Sequence, residues 1–273
     1  MVPSCAKHGG KSKIMKKFFT AKKLNILASA TALLLMWLTW IIAAAIVKNE
    51  YLIPPFLQSA EQFFKLFITP FFWKAFGWTI LRTVISFIIS FAVAAVCAVL
   101  SAYFKLFAAF MRPIVAVFRS LPTMAVLLLI LVWTTPRIAP IAVAFLVLFP
   151  ICYSQLSQGI SQVDTELLEM VKVYEVAPKK VITKVYISRL APMLVVQTGA
   201  NLSFGIKLVI SAEVMASTYT ALGGMMGEAV IYSLPRLAAL TLFAVIFGIV
   251  VELIFSLISK YAFAWVRGCR YED

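Results

Sequence analysis

Residues 164–192 read DTELLEMVKVYEVAPKKVITKVYISRLAP, a polar island between long apolar runs. The island is too charged to span a bilayer, yet its apolar residues keep the spacing of two short helices. Asp164 or Thr165 can cap a helix running to Val176, with Glu166 and Glu169 near its positive end. Leu167, Leu168, Val171 and Tyr174 give the three-and-four spacing of an apolar face. Ala177-Pro178 then interrupts, and Pro178 suits the first turn of a second helix through Arg189, with Lys179, Lys180, Lys184 and Arg189 on its polar side. Pro192 opens the next apolar run. A segment that only bound lipid would be mostly basic. Both charge signs beside apolar anchors fit docking to a soluble partner.

What surrounds the island is membrane. The chain has 273 residues, 63% of them hydrophobic, and a mean hydropathy of +0.98, far too apolar for a water-soluble domain of that length. A bilayer core of roughly 30 Å needs about 20 apolar residues per helix. Six segments meet or approach that test, at 24–47, 78–104, 113–133, 138–154, 193–216 and 237–261. Barrel strands would alternate apolar and polar residues, whereas ISFIISFAVAAVCAVL (85–100) is apolar all round. The expected fold class is therefore an all-α integral membrane protein of about six transmembrane helices. Its divisions are a basic tail (1–23), a first span with an interfacial segment (24–75), a core (76–261) that includes the island (164–192), and a C-terminal tail (262–273). Pro54-Pro55 ends any helix continuing from the first span, and the aromatics between Lys48 and Lys74 suit the membrane surface.

The basic residues set the orientation. Lys7, Lys11, Lys13, Lys16, Lys17, Lys22 and Lys23 precede the first span, and Lys260, Arg267 and Arg270 follow the last. With six spans these fall on the island's side, joined by a link at 105–112, and the positive-inside rule places both termini and the island in the cytoplasm. The net charge of +14 then reads as topology and lipid-headgroup contact, with no nucleic-acid partner. The apolar run from Leu24 is longer than a signal-peptide core and is expected to stay as a span.

Catalytic chemistry is thin. The one histidine, His8, lies in the basic tail, and no Ser/His/Asp, Cys/His or HExxH arrangement can be built from it. Gly9-Gly10-Lys11-Ser12 shares the end of a phosphate-binding loop, but the first glycine would fall at Cys5 and no strand precedes it. Cys97 and Cys152 lie in spans and Cys5 and Cys269 in tails, without disulfide or metal spacing. No metal or cofactor site is expected in the chain, and it reads as no enzyme. The informative charges lie in the membrane. Arg82 and Arg119 sit near span ends and could snorkel, while Lys207, Glu213 and Glu252 lie deeper. Such groups usually face a cavity or a partner. Lys207 and Glu213, about 120° apart around the helix, are a poor pair for each other. Asn201 and Ser203, with Gly199 and Gly205, either line a cavity or let helices approach closely. The four residues Asn201, Ser203, Lys207 and Glu213 are the translocation-path candidates, with Lys207 drawing an anion. Gly223 and Gly224, followed by Met225, Met226 and Gly227, read as a turn and flexible external segment.

The island resembles the cytoplasmic loop of permease subunits of binding-protein-dependent ABC importers, in which Glu-Ala-Ala is followed by three residues, Gly, nine residues and Ile-x-Leu-Pro. Glu169-Met170-Val171 falls on the first triplet, and Val185, Ile187 and Ser188 on the last group. GISQVDTELLEMVKVY (159–174), MRPIVAVFRSLPTMAVLLLILVW (111–133), SAEVMAS (211–217) and Leu52-Ile53-Pro54-Pro55 are similar to the nitrate/sulfonate/taurine group. The glycine position holds Glu175, which gives up a glycine's backbone freedom, and the proline position holds Ser188. The stretch 134–137 lacks the group's glycines. The resemblance implies a type I importer permease in the inner membrane, paired with a second permease subunit, commonly a copy of itself. It also implies two ATPase subunits that bind ATP and Mg, and an extracytoplasmic binding protein that delivers the substrate. Glu166, Glu169, Met170, Val171, Lys172, Tyr174 and Glu175 become the ATPase-coupling residues. The substrate class implied is a small anion such as a sulfonate or nitrate, or a vitamin precursor. A self-sufficient secondary transporter would show repeated, interrupted helices in two halves, and a membrane scaffold would use the island only to recruit.

Overall fold

The computed structural model describes residues 28, 31–32, 34–47, 52–163, 165–177 and 180–263, and every regular element among them is helical. In chain order these are α1 (Leu34–Val47), α2 (Phe56–Ile68), α3 (Pro70–Tyr103), α4 (Lys105–Ser120), α5 (Thr123–Trp133), α6 (Ala139–Ser161), α7 (Thr165–Val173), α8 (Val181–Met215), α9 (Leu222–Tyr232) and α10 (Leu234–Ala262). The basic N-terminal tail with its His8 and Cys5, the expected cap residue Asp164, Pro178-Lys179, Cys269, Arg267 and Arg270 lie outside the described residues.

Four helices, α3, α6, α8 and α10, are long and apolar enough to cross a bilayer. α6 is the innermost, with 56% of its apolar window buried against 28% for α10. Serines and alanines let α3 approach it closely. Ser86, Ser90, Ala94 and Ala98 are buried on α3, Ser90 Oγ reaches the Phe145 carbonyl at 3.4 Å, and Ser101 Oγ lies 2.8 Å from the Tyr153 hydroxyl. Two large apolar clusters result, beside a small one of α5, α6 and α8 around Leu127 and Val143. One joins α3, α4, α6 and α8 around Phe87, Leu148 and Val209. The other joins α2, α3, α8, α9 and α10 around Phe72, Met225, Leu240 and Phe243, with the Phe72 and Phe243 rings edge to face at 4.9 Å. The interfacial segment expected before residue 75 resolves into α2, entered from Pro55, and the first turn of α3, opened by Pro70. Trp40 of α1 donates to the Pro54 carbonyl at 3.2 Å, tying the first apolar segment to that corner.

Three expectations are corrected. The third span is a pair, α4 and α5, bent by 94°. The reason is Pro122, which keeps Leu121 extended (φ −66, ψ 127) and cannot donate to the turn before it; the supposed link at 105–112 is the start of α4. The second helix of the island does not end before Pro192. Its residues Val181–Ile187 are wound as π-helix and run straight into Ser188–Met215. Pro192 lacks the N–H that the Ser188 carbonyl would accept from, which costs one hydrogen bond without ending the helix, and Ser259 Oγ donates to the Pro192 carbonyl at 3.1 Å. Finally, Gly223 to Gly227 form no turn. They are helical residues of α9, and none of the chain's described glycines has positive φ.

Those glycines serve close packing instead. A Cβ on Gly223 would strike Glu213 and the α8 backbone, and one on Gly224 would strike the Thr218 carbonyl, whereas one on Gly77 would meet nothing within 4 Å. Gly224→Ala should therefore lower the detergent-solubilised protein's thermal midpoint, at a cost of about 1–3 kcal/mol. Gly77→Ala should leave the midpoint unchanged or raise it slightly. Equal midpoints for the two variants would refute the packing account of α9.

Candidate functional site

α7 stands at the edge of the helix bundle. Leu167, Leu168 and Val171 are half-buried, while Glu166, Glu169, Met170, Lys172, Val173, Tyr174 and Glu175 are exposed. Val173 and Tyr174 are 79% and 75% exposed, so the apolar groups at the tip of this helix are left uncovered by the chain. The helix ends in a Schellman motif. The Val176 amide donates to the Val171 carbonyl at 3.2 Å and the Glu175 amide to the Lys172 carbonyl at 3.2 Å. Glu175 itself holds φ +47, in the left-handed region. This is the position at which the resembling loop pattern carries glycine. A glycine would suit that helix C-terminal turn, and here the backbone keeps the turn with a glutamate in it. Val171, Val176 and the first turn of α8 line an open cleft with Tyr103 of α3.

The four path candidates separate in space. Asn201 is buried and forms a reciprocal amide pair with Gln155 of α6, Nδ2 to Oε1 at 2.7 Å and Nε2 to Oδ1 at 3.2 Å. Ser203 is buried against Gly248, where an added Cβ would lie 3.0 Å from its hydroxyl. Gly199 packs on Phe255, and Gly205 on Thr83 and Leu148. The small and polar stripe of α8 thus seats its neighbours closely. Lys207 differs: it is exposed, within a helix long and apolar enough to cross a bilayer.

Glu213 lies elsewhere again, with no exposed surface, in an ion pair with Arg82 at 2.7 Å. Thr79 Oγ1 donates to its second oxygen at 2.8 Å, and the Gly223 amide donates to the same oxygen at 3.2 Å. The Leu222 amide donates to Thr79 Oγ1 at 2.9 Å. One carboxylate thereby fastens α3, α8 and the start of α9. Arg82 was expected near a span end, free to snorkel, but α3 starts at Pro70 and Arg82 is 5% exposed. Sequence reasoning weighed Glu213 against Lys207 and missed Arg82 and Thr79, because the pairing links positions 131 and 134 residues apart. The usable signal was that a membrane-depth carboxylate requires a cation somewhere. Arg119 is exposed, and its Nη2 donates to Ser154 Oγ at 2.6 Å beside the bend between α4 and α5. Among the described residues no group of three or more His, Cys, Asp or Glu could hold a metal.

Residues 93–268, more than half of the chain, match the family model described as Binding-protein-dependent transport system inner membrane component. Among solved structures, a chain of the MetNI methionine ABC transporter in inward-facing conformations is similar, with a TM-score of 0.57 and 19% sequence identity over 69% of this chain and 92% of that chain. At that identity the likeness carries the fold, that of a type I ABC importer permease. No curated protein matches significantly.

Two outcomes follow from the geometry. A non-glycine residue in the left-handed region costs roughly 1–2 kcal/mol, so Glu175→Gly should protect the α7 turn from proteolysis and slow its amide exchange. Exchange unchanged in that turn would refute the Schellman assignment. Arg82→Ala strands a buried carboxylate and should cost about 3–5 kcal/mol. Adding Glu213→Gln should recover most of that loss in thermal midpoint, and no recovery would mean that the pair is not coupled.

Proposed function

Because this chain belongs to the inner membrane components of binding-protein-dependent transport systems, we propose that it forms the translocation path for a small solute and takes its drive from separate ATPase subunits docked on α7. The observation that carries this reading is the uncovered tip of α7. Met170, Val173 and Tyr174 leave apolar surface exposed beside Glu166, Glu169, Lys172 and Glu175, the mixture of anchors and charges that a protein interface uses. The coupling residues are Glu166, Glu169, Met170, Val171, Lys172, Tyr174 and Glu175. Val171 holds the helix against the cleft and the others meet the partner. ATP and Mg belong to those partner subunits. The chain itself supplies no nucleotide-binding motif.

Mechanically, α7 is joined through a short linker to α8, and α8 is a single helix from the island to Met215. Closure of an ATPase pair on α7 would thus move a span directly, as rigid-body motion. A second permease subunit, a copy of this chain, would complete the path between them, and an extracytoplasmic binding protein would deliver the solute. Lysine asymmetry supports a cytoplasmic island and cytoplasmic termini in the inner membrane, with anionic headgroups as the lipid contact. The exposed Lys207 at membrane depth supports an anionic substrate, consistent with the likeness of residues 159–174 to the nitrate/sulfonate/taurine group; the vitamin precursors handled by related importers form the other substrate class.

Mild solubilisation from native membranes should bring down an ATPase subunit in stoichiometric amount, identified by mass spectrometry. A stable preparation free of any ATPase would overturn the reading. In reconstituted vesicles, Glu169→Ala should reduce substrate-stimulated ATP hydrolysis several-fold, since truncating a charged interface contact costs about 2 kcal/mol or more, while leaving the thermal midpoint unchanged. Unaltered stimulation would remove Glu169 from the interface.

A further inference from the structure

Two charges well inside the long helices, Lys207 and Glu252, have no ion-pair partner among the described residues. Lys207 of α8 and Glu252 of α10 are both exposed, and neither takes part in an ion pair or a side-chain hydrogen bond among the described residues. They nevertheless lie along one seam. α8 and α10 run antiparallel and in close contact, Gly199 against Phe255 and Glu252, Ser203 against Gly248. Lys207 follows Ser203 by four residues, and its Cε comes within 4.0 Å of where a Cβ on Gly248 would stand. Glu252 follows Gly248 by four residues, and helical side chains lean toward the helix N-terminus, so its carboxylate leans back toward the same level.

Helical phase puts both charges on the same flank. α3 occupies the other one, through Thr83 against Gly205, Arg82 against Glu213 and Phe76 against Phe243. On the open flank, Ser211 accompanies Lys207 and Ser256 accompanies Glu252, each a turn away, and both are exposed. Lipid is a poor occupant for a face that carries an ammonium, a carboxylate and two hydroxyls at membrane depth. A two-fold interface suits it, because such an interface sets residue i against residue j and residue j against residue i. One cation and one anion on the same surface are then complementary to a second copy of that surface.

We propose that the open flank of the α8–α10 seam is where two copies of this chain meet, with Lys207 of each copy paired to Glu252 of the partner subunit. The proposal rests on the reading above that the chain assembles as a pair of copies. It deepens that reading by naming the surface and its charges, and it accounts for the Lys207 charge when no anion is beside it.

The test uses two differently tagged full-length copies, co-expressed and solubilised together. Wild-type copies should co-purify; if they do not, the paired-copy reading itself fails, and this inference with it. Given co-purification, Lys207→Glu in both copies, or Glu252→Lys in both, should lower recovery about tenfold, since each sets like charges together. A copy with Lys207→Glu mixed with one carrying Glu252→Lys should recover wild-type association, because both pairs are restored across the interface. Single reversals without loss would overturn the assignment while leaving the paired-copy reading intact. So would recovery only when both reversals sit in one chain, which assigns the pair within a chain. Should a reversal fail to accumulate, Lys207→Cys in one tagged copy and Glu252→Cys in the other should give an oxidant-dependent crosslinked dimer. Absence of that crosslink between co-purifying copies overturns the assignment equally.

Discussion

A carboxylate and a guanidinium, sealed from both water and lipid, hold this bundle in register. Glu213 and Arg82 sit 2.7 Å apart with almost no exposed surface, and neither could be left alone at that depth without a cost of several kcal/mol. The carboxylate's second oxygen accepts from Thr79 and from the Gly223 amide in the first turn of α9, while the Leu222 amide donates to Thr79. Those amides carry the positive end of the α9 dipole, so the anion is neutralised from two directions. The consequence is topological as well as energetic. α9 is a short helix, and its place between α8 and α10 is fixed by what caps its start.

Around that knot the packing relies on the absence of side chains. Gly223 and Gly224 bring α9 onto α8, Gly199 and Gly248 bring α10 onto α8, and Gly205 brings α3 onto α8. In a bilayer the hydrophobic effect gives helices little reason to associate, and close contact between backbones supplies the dispersion energy instead. α8 is accordingly the helix that every other packed span addresses. The same helix carries the amide pair to α6, the ion pair to α3 and the exposed Lys207.

The helical class, the positions of the long spans and the polar island were legible because each rests on local apolar content, which the sequence displays directly. The bend at Pro122 was present in the sequence as a proline but was outweighed by the apolar residues on either side of it. Pro192 misled in the opposite direction: a proline removes one helix hydrogen bond without having to end the helix, and this one lies inside α8 with its carbonyl held by Ser259 of α10. The glycines of α9 were read through their freedom in turns, although here they matter for their small volume. Glu175 carries a further lesson. Its unusual backbone angle is set by the helix that ends there, so the turn survives a residue that does not favour it. Long-range partners such as Arg82 for Glu213, or Gln155 for Asn201, were invisible for want of any local signature.

The continuity of α8 sets a scale for motion. Its 35 residues make a rod of about 50 Å, while the hydrocarbon it crosses is roughly 30 Å thick. One end is pinned at Glu213 and the other emerges beside α7. A tilt of roughly 10° about the pinned end would sweep the free end through roughly 9 Å, by the geometry of a rod of that length. By the same geometry, any displacement at the far end of such a rod would be scaled down toward the pinned end, where the glycine contacts are closest.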